Sequence, residues 1–100
     1  MSNSVHHVLF TKKCWSKGYA HKLRRMLAYN IPDDVHRNLH KAVPPVPPVT
    51  EEQARELYVG YKKVSPLDIF DATEWLIENS PSEEFAVAMM GQSLYLRTFL

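Results

Sequence analysis

The stretch Ile31-Pro32-Asp33-Asp34-Val35-His36-Arg37-Asn38-Leu39-His40-Lys41-Ala42-Val43-Pro44-Pro45 decides how the rest of the chain is read. Asp33 is a good N-cap, and a carboxylate there also meets the positive end of a helix dipole. Residues 34–43 are therefore predicted to be helical. Pro44-Pro45 must end that helix, because proline lacks the backbone donor and disfavours helix in the residue before it. On this helix His36 and His40 stand four residues apart, on one face and one turn from each other. A helix offers two imidazoles to one cation in this way.

Working outward toward the N-terminus, residues 5–10 (Val-His-His-Val-Leu-Phe) are rich in β-branched and aromatic side chains and read as a strand. Residues 11–22 are basic and irregular, with Gly18 as a turn. Residues 23–31 contain Met26, Leu27, Tyr29 and Ile31, and form either a strand returning along the first or a short helix. If this segment folds back, the first strand lies against the His36/His40 face and His6 joins the pair. All five histidines fall within residues 6–40. A His-x3-His pair on a helix arises often by chance. The two ordered pairs together, with a capped helix under the second, point to a metal. His6, His36 and His40 would then bring their ring nitrogens to within about 4 Å of one another around one divalent ion, with bonds near 2.0–2.1 Å for zinc and a fourth position open. Zinc is the first choice, with nickel, magnesium or manganese as alternatives. His21 stands outside this pattern and reads as a surface residue or a phosphate contact.

Toward the C-terminus, residues 44–49 form a stiff extended spacer. Thr50 begins a capping box with Gln53, and Ala54, Leu57, Tyr58 and Tyr61 make an apolar stripe. Ser65-Pro66 reads as an N-cap followed by proline at the first helical position, with Leu67, Phe70, Trp75 and Leu76 on the inner side of that helix. Ser80-Pro81 reads as the start of the last helix, which carries Phe85, Ala88, Met89, Leu94 and Leu96. The fold class is α+β, mostly helical: a small ββα-metal-like module at residues 5–43, a proline spacer at 44–49, and a scaffold of about three helices at 50–100, all in one domain.

One hundred residues, 45% of them apolar, can build one core but not two domains. Cys14 is the only cysteine, so an intrachain disulfide and a cysteine-based zinc cage are both excluded. A reducing cytoplasm fits best, no signal peptide is expected, and no apolar run is long enough to span a bilayer. The net charge of +1 conceals an asymmetry. Residues 1–43 carry eight basic against two acidic side chains, a balance of +6, and residues 44–100 carry four against nine, a balance of −5. The basic half suggests a surface that faces a polyanion, or else halves that attract each other.

His6-His7, a basic loop, a returning segment and then His36-Arg37-Asn38-Leu39-His40 on a helix together resemble the HNH endonuclease (His-Me finger) family. Its ββα-metal fold clasps one divalent ion between a hairpin and a helix. The resemblance covers about residues 5–43. It implies that His6, His36 and His40 are metal ligands, that His7 is the general base, and that Asn30 takes the place of the asparagine that orients the base. Since adjacent residues on an ideal strand face opposite sides, His6 and His7 can both reach one phosphate only if the strand is irregular there. Lys12, Lys13, Lys17, Lys22, Arg24 and Arg25 would grip flanking phosphates of DNA. Trp15 could stack on a base or pack in the core. Two classes of function follow. One is a metal-dependent nuclease that hydrolyses phosphodiester bonds, with a phage or mobile-element origin implied by the family resemblance together with the small size. The other is a catalytically inactive module of the same shape that binds DNA or a protein partner, such as a small phage-encoded regulator or inhibitor of host defence.

Overall fold

β1 (Asn3–His7) and β2 (Ala28–Pro32) pair antiparallel, with Ser4 opposite Ile31 and His6 opposite Tyr29. The computed structural model describes residues 2–11 and 18–100. Lys12, Lys13 and Lys17, expected to contact DNA, lie outside the described residues, as do Cys14 and Trp15. Directly opposed residues share a face of the ribbon. Ser4, His6, Tyr29 and Ile31 therefore line the inner face, and Val5, His7, Ala28 and Asn30 the outer one. His6 and Ile31 are buried, whereas Val5 and Asn30 are exposed. After His7 the chain bends inward and buries Val8, Leu9 and Phe10.

Between the strands runs α1 (Gly18–Met26), which replaces much of the irregular loop expected there. Ala20, Leu23 and Leu27 recur at helical spacing and are buried, leaving Lys22 and Arg25 on the solvent side. The open choice between strand and helix for residues 23–31 resolves into both, with helix to Met26 and strand from Ala28. Gly18 has φ +80°, and a Cβ there would come within 3.0 Å of the Glu51 carboxylate. That carboxylate accepts the Tyr19 backbone N–H at 2.8 Å, so a residue of the acidic half satisfies a donor at the start of α1.

α2 (Asp33–Ala42) forms where expected and ends before Pro44, with Val43 already extended. The cap differs. Asp33 is the first helical residue, not the cap, and its carboxylate accepts the hydroxyls of Ser2 and Ser4, tying the helix start to β1. The proline segment is extended but more than a spacer: Val46 is buried and donates its backbone N–H to the Phe10 carbonyl at 2.8 Å.

α3 (Glu51–Val64) carries the expected capping box between Thr50 and Gln53 and buries Ala54, Leu57 and Tyr61. α4 (Ile69–Glu78) starts later than expected. Its cap is Asp68, which accepts from Asp71 N–H, and Pro66 follows a cis bond outside the helix. α5 (Glu83–Phe99) is capped by Ser82 rather than Ser80. In both cases several cap-competent residues lie close together, and burial of the apolar phase selects one. That phase in α4 is Ile69, Ala72, Thr73 and Leu76, with Phe70 and Trp75 only half-buried. On α5, Leu94 is 69% exposed, against expectation, and Gln92 and Ser93 are buried in its stead.

One core joins Val8, Leu23, Leu27, Ile31, Leu39, Val43 and Val46 to Leu57, Tyr61, Leu76, Phe85, Met89 and Leu96, so the N-terminal module and the helices share it. Tyr29 adds a polar tie. Its hydroxyl donates to the Leu67 carbonyl at 2.7 Å and meets the Tyr61 hydroxyl at 2.9 Å. No helix among the described residues is long and apolar enough to cross a membrane. Substituting Gly18→Ala should destabilise the fold by about 1–2 kcal/mol, because the left-handed backbone and the Glu51 carboxylate both oppose a Cβ. Chemical denaturation would measure the loss.

Candidate metal centre

His6 reaches the site from the inner face of β1, and His36 and His40 reach it from the face of α2 that packs on the ribbon. One ring nitrogen from each lies within 4.8 Å of the other two, a looser convergence than the 4 Å expected from the sequence. The Nε2 atoms of His36 and His40 are 3.0 Å apart. Ligands of a tetrahedral zinc with bonds near 2.0–2.1 Å are about 3.3 Å apart, so the helical pair is already close to that spacing. The His6 ring stands edge-on to both, with centroids 5.1 Å from His36 and 5.7 Å from His40. The Phe10 ring closes one side, 4.5 Å from His40. His6 is fully buried, His36 half-buried and His40 exposed, so the cluster has a buried floor and an open rim. Three imidazoles in this arrangement can hold a metal ion.

Gln92 of α5 completes the floor. It is fully buried, its Nε2 donates to the Val8 carbonyl at 3.0 Å, and its Oε1 lies 2.7 Å from His6 Nε2. The remaining His6 nitrogen, Nδ1, is buried with no hydrogen-bond partner. Such an orphaned buried nitrogen costs about 1–3 kcal/mol, and a metal ion bound to its lone pair would satisfy it. Nothing in the sequence flagged Gln92, which lies 86 residues from His6 on the buried and mostly apolar face of α5.

Burial, reinforced by the neighbouring histidines and only partly offset by the bond to Gln92, lowers the His6 pKa to about 4. Burial also lowers His40, with His36 adding to the effect. Neutral imidazole is the form that binds metal.

The other two residues named by the HNH resemblance stand apart from this cluster. His7 lies on the outer face of β1, at the last pair of the ladder, opposite Ala28. The ladder through His7 is regular, so the irregularity needed to turn both histidines inward is not present within β1. His7 is half-buried, and burial, Arg24 and His36 lower its pKa in that order. Asn30 is exposed on the same outer face, diagonal to His7, and no hydrogen bond joins the two among the described residues. Of the basic residues expected to hold DNA, α1 carries Lys22, Arg24 and Arg25, the first and last exposed. Compared with known protein families, curated proteins and solved structures, the chain finds no match.

The histidines set a pH dependence for the metal-free protein. The folded pKa of His6, about 4, lies below the ordinary 6.5, so the folded state favours the neutral ring. Its contribution is complete above pH 6.5 and is lost as pH falls toward 4, because the unfolded chain takes up the proton first. The loss is on the order of 3 kcal/mol. In chelator-treated protein the melting temperature should fall over this range. The fall should be shallower in His6→Leu, and an unchanged slope in that variant would count against a neutral buried His6.

Proposed function

We propose that this protein is an HNH-like, metal-dependent nuclease that acts on DNA phosphodiester bonds. The observation that carries the reading is the cluster of His6, His36 and His40, with a buried orphaned nitrogen at its floor and an open rim at its surface. Zinc is the preferred ion for three imidazoles, with magnesium, manganese and nickel as alternatives. A bound ion would supply Lewis acidity to a phosphate oxygen and stabilise the departing 3′ oxygen.

The chain's own residues take the remaining tasks. His7 would serve as the general base that accepts a proton from the attacking water, reaching the substrate from the outer face at the end of the β1 ladder. Lys22, Arg24 and Arg25 hold flanking phosphates. None of the three is ion-paired with an acidic side chain among the described residues, where the one ion pair is Arg97 with Glu74. The two halves of opposite charge therefore leave the α1 cations available to a polyanion.

A second reading is favoured by one observation. His7 and Asn30 lie on the outer face, away from the cluster, as they would in a module that keeps the HNH-like shape and binds DNA or protein without turnover.

Metal analysis of the purified protein, followed by plasmid nicking with magnesium, manganese, nickel and zinc, separates the readings. The nuclease should bind one ion per chain and nick DNA. His36→Ala should lose ion and cleavage together, and His40→Ala should lower both metal content and melting temperature. His7→Ala should keep the ion and lose roughly 10²–10⁴-fold in rate. Metal binding without cleavage under any ion selects the binding module, and absence of metal binding overturns the metal-dependent nuclease. Replacing Lys22, Arg24 and Arg25 by glutamine should weaken DNA binding across sequences. Its salt dependence should flatten, with a slope shallower by roughly 0.9 for each phosphate no longer neutralised. Fluorescence anisotropy at several salt concentrations measures both.

A further inference from the structure

A glutamine amide has two chemically distinct ends, and both ends of Gln92 are committed. The Val8 carbonyl can only accept, so the group that faces it at 3.0 Å is the Gln92 NH2. The opposite end, 2.7 Å from His6 Nε2, is then the carbonyl oxygen, which can only accept. His6 Nε2 must therefore carry its hydrogen. In a neutral imidazole this leaves Nδ1 as the lone-pair nitrogen, and Nδ1 is the buried atom with no partner. The helical histidines differ: their Nε2 atoms share a hydrogen bond at 3.0 Å, so one of them carries its hydrogen there in the metal-free protein and must move it to Nδ1 before both can ligate an ion.

We propose that Gln92, on the last helix, is a positioning residue for the metal centre, holding His6 in the Nε2–H tautomer so that Nδ1 is its donor atom beside Nε2 of His36 and His40. This rests on the metal-binding reading above and adds a mixed donor set and a remote determinant to it. Outer partners of this kind fix the tautomer and ring orientation of ligating histidines. Here the partner is a neutral amide and not a carboxylate. It orients the ring without adding negative charge, so an ion at the site keeps more of its Lewis acidity. Because the amide also bonds Val8, occupancy of the site is linked to the docking of α5 against the end of β1.

Long-range proton–nitrogen correlation NMR of the histidine rings tests this with the whole chain, first free of metal and then with one equivalent of zinc, above neutral pH. The metal-free wild type should show His6 as the Nε2–H tautomer. Zinc should perturb Nδ1 of His6 and Nε2 of His36 and His40. Gln92→Met, close in shape but without the amide, should lose the tautomer preference and bind zinc roughly 10- to 100-fold more weakly in chelator competition while its circular dichroism stays helical. An Nδ1–H tautomer in the wild type, zinc bound through Nε2 of His6, or undiminished affinity in a folded Gln92→Met would falsify the assignment. If Gln92→Met does not fold, the wild-type ring spectra decide alone. The tautomer is read without metal, so the two levels separate. An Nε2–H tautomer in a wild type that takes no zinc overturns the metal centre and Gln92's role toward it, whereas zinc bound through the other His6 nitrogen overturns the role of Gln92 alone.

Discussion

The Gln92 amide, bonded at one end to His6 and at the other to the Val8 carbonyl, joins the first strand to the last helix at the point where both are fully buried. Away from water such a bridge is electrostatically strong, and either half alone would be an expensive unpaired group. The N-terminal module depends on this support. A two-stranded ribbon is marginal in water, and α2 fully buries only Leu39. The module persists because Val8, Leu27, Ile31 and Leu39 share a core with α3, α4 and α5, and because Tyr29 is tied to Tyr61 and Leu67.

The same support makes the histidine cluster a site of stored cost. His6 is held neutral in a buried place with one nitrogen unsatisfied, and the Nε2 atoms of His36 and His40 share a hydrogen bond at 3.0 Å that two charged rings cannot keep. Protonating this group sets like charges together, and leaving it unligated keeps a buried acceptor without a partner. A divalent cation relieves both conditions, so its binding would be coupled to folding as well as to any chemistry.

Electrostatics divides the molecule differently from its core. The acidic half contributes Glu51 to the start of α1, yet the cations of α1 remain without acidic partners among the described residues, while Arg97 pairs with Glu74 inside the acidic half. Hydrophobic packing unites the two halves, and among the described residues Lys22 and Arg25 of the basic half stay exposed.

The sequence by itself determined the features that depend on neighbouring residues. The i, i+4 spacing put His36 and His40 on one helical face, Pro44 ended that helix, and Thr50 and Gln53 closed a capping box. These follow from local geometry and steric rules that act within a few positions. The strand expected over residues 5–10 lies at Asn3–His7, and the apolar Val8, Leu9 and Phe10 leave it for the core. Tertiary structure decided what depends on burial. It chose Asp68 and Ser82 over Ser65 and Ser80 as caps, turned part of a basic loop into α1 because Ala20 and Leu23 could be covered, and sank Val46 of the proline segment into the core. It also set His6 and His7 on opposite faces, since a regular ladder alternates whatever chemistry the side chains carry. Gln92 was beyond sequence reasoning for the same reason. A polar residue on a mostly apolar helix face gives no sign of its partner until the fold brings a histidine ring and a backbone carbonyl to the two ends of its amide.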